Sequence, residues 1–396
     1  MPVRKNRIGV GGLVISPLAK KYVWEVIKEN RLSYGPFSKR FEVEFAKAHD
    51  SKFACFMNSG TDALRVSLSA MKERFKWKDG DEVIVPAITF IATSNIVLQN
   101  QLRPVFVDVD HAAYNIDPEK IEEKITKRTR AVIPVHLMGL PCEMDPIWAL
   151  SRKHKLKILE DSCETMFASY KGRKVGSLGD VGAFSTYVAH FLVTGVGGLT
   201  TTSDPELAVD IRSFMNHGRD PAYLSIDDDK NVSDEKLREI VDKRFKFVHT
   251  GYSSRCTELE AALGLAQLEE REEIIKKRKA IAACFNKKLR DLEDRIQLPT
   301  EPEGCSHAYM LYPIVLRKES KHGLVHFLEK NMIETRDLMP LLSQPVYKKL
   351  FGNIEKNYPI AKWIGSSGFY IGCHQYLTNE EQDYVIAKIH EYFQKN

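Results

Sequence analysis

The chain has 396 residues, 43% of them hydrophobic and 28% charged, with a formal net charge of +5. That is enough for one large α/β domain with a smaller companion, or for two to three average domains, each with a sizeable core. It excludes a membrane-spanning protein, because no apolar run reaches the roughly 18 residues a span needs, and it gives no basic stripe with interleaved aromatics of the kind that binds nucleic acid; a mild positive excess suits an anionic small substrate.

In chain order, the first chemically suggestive segment is Asn58-Ser59-Gly60-Thr61-Asp62-Ala63-Leu64, a turn of small residues leading into an apolar helical run. Val83–Pro86 reads as a strand, followed by a helix through Asn100. Pro104–Val109 is the next strand. Pro118–Ile125 is amphipathic and predicts a helix, with Asp117 as N-cap and proline at the first helical position. Ala131–Val135 predicts a strand, Pro146–His154 a helix, and Leu156–Glu160 a strand that ends at Asp161. This alternation predicts a mostly parallel sheet with helices on both faces, in which ligands bind at the carboxyl ends of the strands. The polar stretch Ser225–Asp234 predicts a surface loop. Beyond residue 255, Glu258–Leu289 reads as one long charged helix, and the tail carries short strands (Met310–Leu316) and helices (Leu324–Asn331, Glu380–Phe393). The expected division is a large domain over 1–255 with an N-terminal arm and a small α+β domain over 256–396, entered through the long helix.

Seven cysteines lie no closer than 21 positions apart. Without a CxxC pair they predict no zinc or iron–sulfur site and no metal. With no export signal after the basic start Met1–Arg7, they predict reduced thiols and a cytoplasmic location.

Several residues carry two readings on their own. The Gly60-Thr61 turn is either a plain helix start or a phosphate cradle, since glycine permits close backbone approach and a helix N-terminus offers free N–H groups. Taken alone, Asp161 reads as a strand terminus or a helix cap. Phe90 reads as a core aromatic at a helix start. Ser253, in Thr250-Gly251-Tyr252-Ser253-Ser254-Arg255, is a turn residue or a phosphate contact. His217, Arg219 and Arg336 are polar residues of loops, as fit for the surface as for a substrate.

The segment Gly182-Ala183-Phe184-Ser185-Thr186-Tyr187-Val188-Ala189-His190, together with Asp161, the Ser-Gly-Thr-Asp-Ala-Leu turn and Leu259-Glu260-Ala261-Ala262-Leu263-Gly264, resembles the DegT/DnrJ/StrS sugar aminotransferase family. The likeness runs from about residue 30 to 390. It implies the fold type I architecture of pyridoxal-phosphate enzymes and a homodimer with shared active sites. It also implies that Gly60, Thr61 and Ser185 hold the cofactor phosphate, with Ser253 where the family has an asparagine reaching the partner's phosphate. Phe90 would stack on the pyridine ring, Asp161 would pair with its nitrogen, and Glu164 would lie near its phenolic oxygen. The family's Schiff-base lysine is replaced by His190. A histidine moves protons but forms no Schiff base. Among family members the exchange is similar to that of the sugar 3-dehydratase subgroup. The resemblance therefore implies pyridoxal or pyridoxamine phosphate held noncovalently, glutamate as amino donor, and C3 deoxygenation of a nucleotide-linked 4-keto-6-deoxy sugar, with His190 as acid and base. The alternatives are a sugar 4-aminotransferase and an inactive cofactor-binding relative with a regulatory or structural role. Phe191, Val196 and Ser253 depart from the family pattern.

Overall fold

The computed structural model describes residues 6–225 and 227–395. The first half of the chain lays down β1 (Phe53–Met57), β2 (Glu82–Pro86), β3 (Arg103–Val107), β4 (Thr129–Val132), β5 (Lys157–Asp161), the short β6 (Ser169–Tyr170) and β7 (Arg173–Lys174), β8 (Val181–Ser185) and β9 (Gly198–Thr202). Seven of these form one sheet in the order β1-β9-β8-β5-β4-β2-β3. β8, β5, β4, β2 and β3 run parallel, and β9 is antiparallel to both β1 and β8. β2, β8 and β9 are buried along their whole length. Strands covered on both faces read as unbroken apolar runs, which is why this sheet was visible in the sequence. The helices Gly60–Arg74, Ile91–Gln99, Met144–His154 and Pro205–Met215 alternate with the strands.

The second half adds β10 (Ile296–Gln297), β11 (Cys305–Ser306), β12 (Leu311–Leu316), β13 (Arg336–Asp337) and β14 (Gly368–Gly372). β10-β12-β14-β13 form an antiparallel sheet, and β11 pairs with β6 of the first half. A second apolar core gathers here around Phe285, Tyr312, Leu328, Phe369 and Ile389. Ile8 of the N-terminal arm belongs to this core as well, because its N–H donates to the Met332 carbonyl (2.8 Å) and its carbonyl accepts from Glu334 N–H (2.9 Å).

Two elements differ from the sequence expectation. Glu258–Leu289 is two helices, Glu258–Glu269 and Arg271–Lys288, broken at Glu270. The first buries Ala261, Ala262, Leu265 and Leu268 in the main core, whereas Ile281, Ala282 and Phe285 of the second lie in the other core, so the chain turns between two docking faces. Pro118–Ile125 is a pair of single 3₁₀ turns. Asp117 does cap the first, accepting from Glu119 N–H at 3.1 Å, but Ile121 is the one buried side chain of the stretch, too little apolar contact to hold a longer helix. In the polar stretch after Leu224, Ser233 caps the helix Asp234–Lys243, and Ile226 lies outside the described residues. No described helix is long and apolar enough to cross a membrane, and all seven cysteines are free thiols.

The end of β5 is fastened from one side by Glu160, which is fully buried. Its carboxylate accepts from Gly176, Leu178 and Gly179 N–H groups at 2.7, 2.7 and 2.6 Å. His136 Nδ1 accepts from Cys142 N–H (2.9 Å), so its Nε2 carries the ring proton and donates to Glu160 at 3.0 Å. A glutamine has one acceptor oxygen where four donors converge. Glu160→Gln should lower the unfolding free energy by about 2–4 kcal/mol, the cost of stranding buried N–H donors; a urea titration should show the midpoint falling with an unchanged slope.

Candidate active site

A cavity of about 590 Å³ opens at the carboxyl ends of the strands. It is walled by the Ser59-Gly60-Thr61 turn, the Thr89–Thr93 segment, the end of β5, the 185–197 loop and residues from both Met310–Leu311 and Glu334–Arg336. Of the residues singled out in the sequence, Gly60, Thr61, Phe90, Asp161, Glu164, Ser185, His190 and Arg336 all line it. Among the described residues its wall contains no lysine.

The turn at its base is shaped by close packing. Ser59 caps the Gly60–Arg74 helix, its hydroxyl accepting from Asp62 N–H at 3.1 Å. A Cβ on Gly60 would come within 2.7 Å of Ser185 Cβ and 2.9 Å of Cys163 Sγ. A Cβ on Gly198 would lie 2.4 Å from the Ser59 carbonyl. Glycine at both positions lets the β8–β9 loop sit directly on the helix start, so Ser185 stands beside the free N–H groups of that helix. This is the geometry of an anion cradle.

Asp161 forms the floor. It is 4% exposed, and its carboxyl accepts from the Thr93 hydroxyl (2.6 Å) and Cys163 N–H (3.1 Å). Burial raises its pKa above the ordinary value, against the lowering effect of those hydrogen bonds. Among the described residues no arginine or lysine is bonded to it. A buried carboxylate without a cation is costly, and a protonated ring nitrogen entering the cavity would supply the missing charge. Thr93, bonded in turn to Thr89 at 2.7 Å, had no role in the sequence reading; its signal was its place one turn after Phe90, on the same face of the helix start. Phe90 itself is the N-cap of the Ile91–Gln99 helix and is 57% exposed, so it is a ring on the cavity wall and not a core aromatic.

Glu164, placed by the family resemblance near the cofactor's phenolic oxygen, would repel a phenolate unless one of the two is protonated. It is buried, and its carboxyl accepts from Met138 N–H at 3.2 Å. Burial, reinforced by nearby Asp161, pushes its pKa up to about 8. It is thus a neutral acid at pH 7 and can donate a hydrogen bond to an oxyanion.

His190 sits in the 187–197 loop. Its N–H donates to the Tyr187 carbonyl at 2.9 Å, and Nδ1 meets the same carbonyl at 3.2 Å. A carbonyl only accepts, so the ring proton belongs on Nδ1 and Nε2 keeps its lone pair. Burial of the ring lowers its pKa to about 4, partly opposed by the Tyr187 carbonyl and assisted by the Arg278 charge. The loop is held by Gln267, which accepts from Val193 N–H (2.9 Å) and donates to its carbonyl (2.7 Å). Phe191 is fully buried beneath, and Val196 is exposed at the cavity wall.

Ser253, His217 and Arg219 are not brought into this cavity. Side chains of an extended segment alternate: Ser254 turns inward and donates to Asp62 (2.7 Å), so Ser253 and Arg255 face the other way. They line a second cavity of about 420 Å³ with Tyr34 and Arg212. His217 is bonded there to Arg255 at 3.1 Å. Arg219 is taken up by the Arg244 carbonyl and the rings of Tyr223, Phe245 and Phe247. Arg336 pairs with Glu334; Glu334 and Tyr370, both on the wall, were missed because nothing in their sequence context distinguishes them from surface residues.

The chain belongs to the DegT/DnrJ/EryC1/StrS aminotransferase family, whose profile matches residues 15–390. It is 34% identical over 388 residues to a GDP-perosamine synthase of Caulobacter vibrioides, covering 97% of each chain. It is 29% identical over 376 residues to the GDP-4-keto-6-deoxy-D-mannose 3-dehydratase of Escherichia coli, covering 93% of this chain and 95% of the relative. The structure of an Escherichia coli 3-dehydratase of the same name with bound hydrated pyridoxal phosphate superposes with a TM-score of 0.88 at 27% identity, over 97% of this chain and 100% of that one. The family and fold expected from the sequence are those found.

Because Glu164 binds its proton more tightly in the folded chain than at its ordinary value of 4.5, the folded state holds the extra proton between about pH 4.5 and 8. Stability should therefore fall as pH rises through that window. The melting temperature of the cofactor-free protein should drop between pH 6 and 8, and Glu164→Gln should flatten that drop; an unchanged slope in the variant would mean Glu164 is ionised.

Proposed function

We propose that this protein is a pyridoxamine-phosphate-dependent 3-dehydratase of a nucleotide-linked 4-keto-6-deoxy sugar, with glutamate as amino donor. The observation that carries the reading is His190 in a cavity that keeps the other cofactor-fitting groups and has no lysine on its described walls. When bound, the cofactor supplies an electron sink that no side chain provides. Gly60, Thr61 and Ser185 bind its phosphate, Phe90 covers the ring, Asp161 supplies the charge partner of the ring nitrogen, and Glu164 donates to the ring oxygen.

His190, neutral with a free Nε2, takes the first proton. Once protonated it is the acid for departure of the C3 hydroxyl, so a single residue serves both steps. A lysine would instead favour return of the proton to C4. The exchange balances: the sugar loses one oxygen, glutamate gains it in becoming 2-oxoglutarate, and ammonia leaves. Transamination is the second reading, favoured by the likeness to a perosamine synthase. We also propose a homodimer in which Ser253, His217 and Arg219 face the partner's site; the exposed Phe245, Phe247 and Val241 beside Arg219 and its carbonyl partner Arg244 support it.

Incubation with pyridoxal phosphate, glutamate and a 4-keto-6-deoxy nucleotide sugar should release ammonia in step with a sugar lighter by one oxygen. An amino sugar without ammonia would establish the transferase, and no conversion of glutamate would sink both readings. His190→Asn should lose at least about 100-fold in rate, the scale of a missing acid–base group, while still binding cofactor. Borohydride should fix cofactor to His190→Lys and not to the natural chain.

A further inference from the structure

Arg278 is a buried cation whose bonded partners are all neutral. It lies 1% exposed in the helix Arg271–Lys288. Its Nε donates to Gln375 Oε1 (3.0 Å), and Nη1 donates to the Met310 carbonyl (2.7 Å) and, more distantly, to those of Tyr309 and Cys373 (both 3.5 Å). Nη2 donates to the carbonyl of His190 at 3.3 Å. The guanidinium centre lies 4.6 Å from the centroid of the Phe191 ring. None of these partners is a carboxylate. Burying an uncompensated guanidinium is expensive, and the π face of Phe191 returns only part of that expense. A structural tie between the helix and the β12 and β14 ends would be made more cheaply by an amide.

We propose that Arg278 is a positioning residue for His190: its guanidinium, seated on Phe191 and bonded to the His190 carbonyl, fixes the loop that carries the imidazole and sets a positive charge beneath it. A second positive charge on the imidazole is thereby disfavoured, so the ring is kept as the base. This deepens the proposed role of His190 as proton carrier and rests on it. The other groups facing the pair act as follows. Tyr187 offers a carbonyl to the ring. Asp161, Glu164, Glu334, Arg336 and Tyr370 share the cavity. Cys373, His374 and Tyr376 lie near the guanidinium in the segment after β14, where burial, assisted by the neighbouring charge, holds His374 down to about 4 as well.

The test is the titration of His190 by carbon–proton NMR of histidine-labelled, cofactor-free protein, with the signal assigned by its loss in His190→Asn. In the natural chain it should remain neutral below the ordinary histidine range, to about pH 5. Arg278→Gln, which keeps a donor and removes the charge, should raise the midpoint by about one pH unit, tenfold in the protonation equilibrium. Arg278→Lys should restore the low value. In the loaded enzyme the acidic limb of kcat/KM should move with it. A natural-chain midpoint at or above about 6.5, or equal midpoints in the Gln and Lys variants, would overturn the proposal. If Arg278→Gln fails to fold, Phe191→Leu, which removes the ring that seats the guanidinium, should shift the His190 midpoint, and an unchanged midpoint would overturn the proposal. The NMR readout needs neither cofactor nor substrate, so absence of ammonia release would sink the dehydratase reading and leave this one standing.

Discussion

The site depends on two adjacent carboxyls at the end of β5. Successive side chains of a strand point to opposite faces, so Glu160 and Asp161 serve opposite purposes from one backbone position. Glu160 faces the protein and is satisfied there by three loop N–H groups and the His136 ring. Asp161 faces the cavity, and a hydroxyl and one N–H are the donors it receives. The rigidity of the first carboxyl allows the second to be held in a low-dielectric place without its charge partner. A single-residue slip in β5 would exchange the two roles and destroy both.

Around that floor the cavity sorts its acids and bases by environment. Glu164 lies close to Asp161, and two buried carboxyls do not both ionise cheaply. Burial keeps Glu164 protonated near neutral pH, which turns an apparent repulsion into a hydrogen-bond donor. His190 is shifted the other way, toward the neutral ring. The resulting set is a carboxylate awaiting a cation, a neutral acid and a neutral base. Such a set suits a ring that accepts electrons and a substrate that loses first a proton and then a hydroxyl.

Much of this was legible in the chain. The buried parallel strands appear as unbroken apolar runs, and the Gly60 turn is marked by small residues before an apolar helix. What was hidden required tertiary contact. The break at Glu270 is set by two separate cores and has no proline or glycine to announce it. Ser253 looked like a site residue by position, but strand alternation turns it away from the cavity of its own chain. Arg278 stands in the run Lys276-Lys277-Arg278-Lys279, which reads as a solvated face. In the structure it falls on the buried stripe of its helix, with Ile274, Ile281 and Phe285.

The departures from the family pattern become coherent at this point. Phe191 follows His190 directly and is wholly buried, so it faces the protein and not the cavity. Its ring is the surface on which the Arg278 guanidinium rests. An aromatic face tolerates a cation without neutralising it, whereas a carboxylate in the same place would cancel its field at His190. Val196, exposed at the cavity wall, brings no charge to it. The loop thus holds the imidazole over a buried positive charge, with an uncharged side chain at Val196. Those surroundings favour a ring that starts neutral, takes a proton when the substrate yields one, and gives it up readily afterwards.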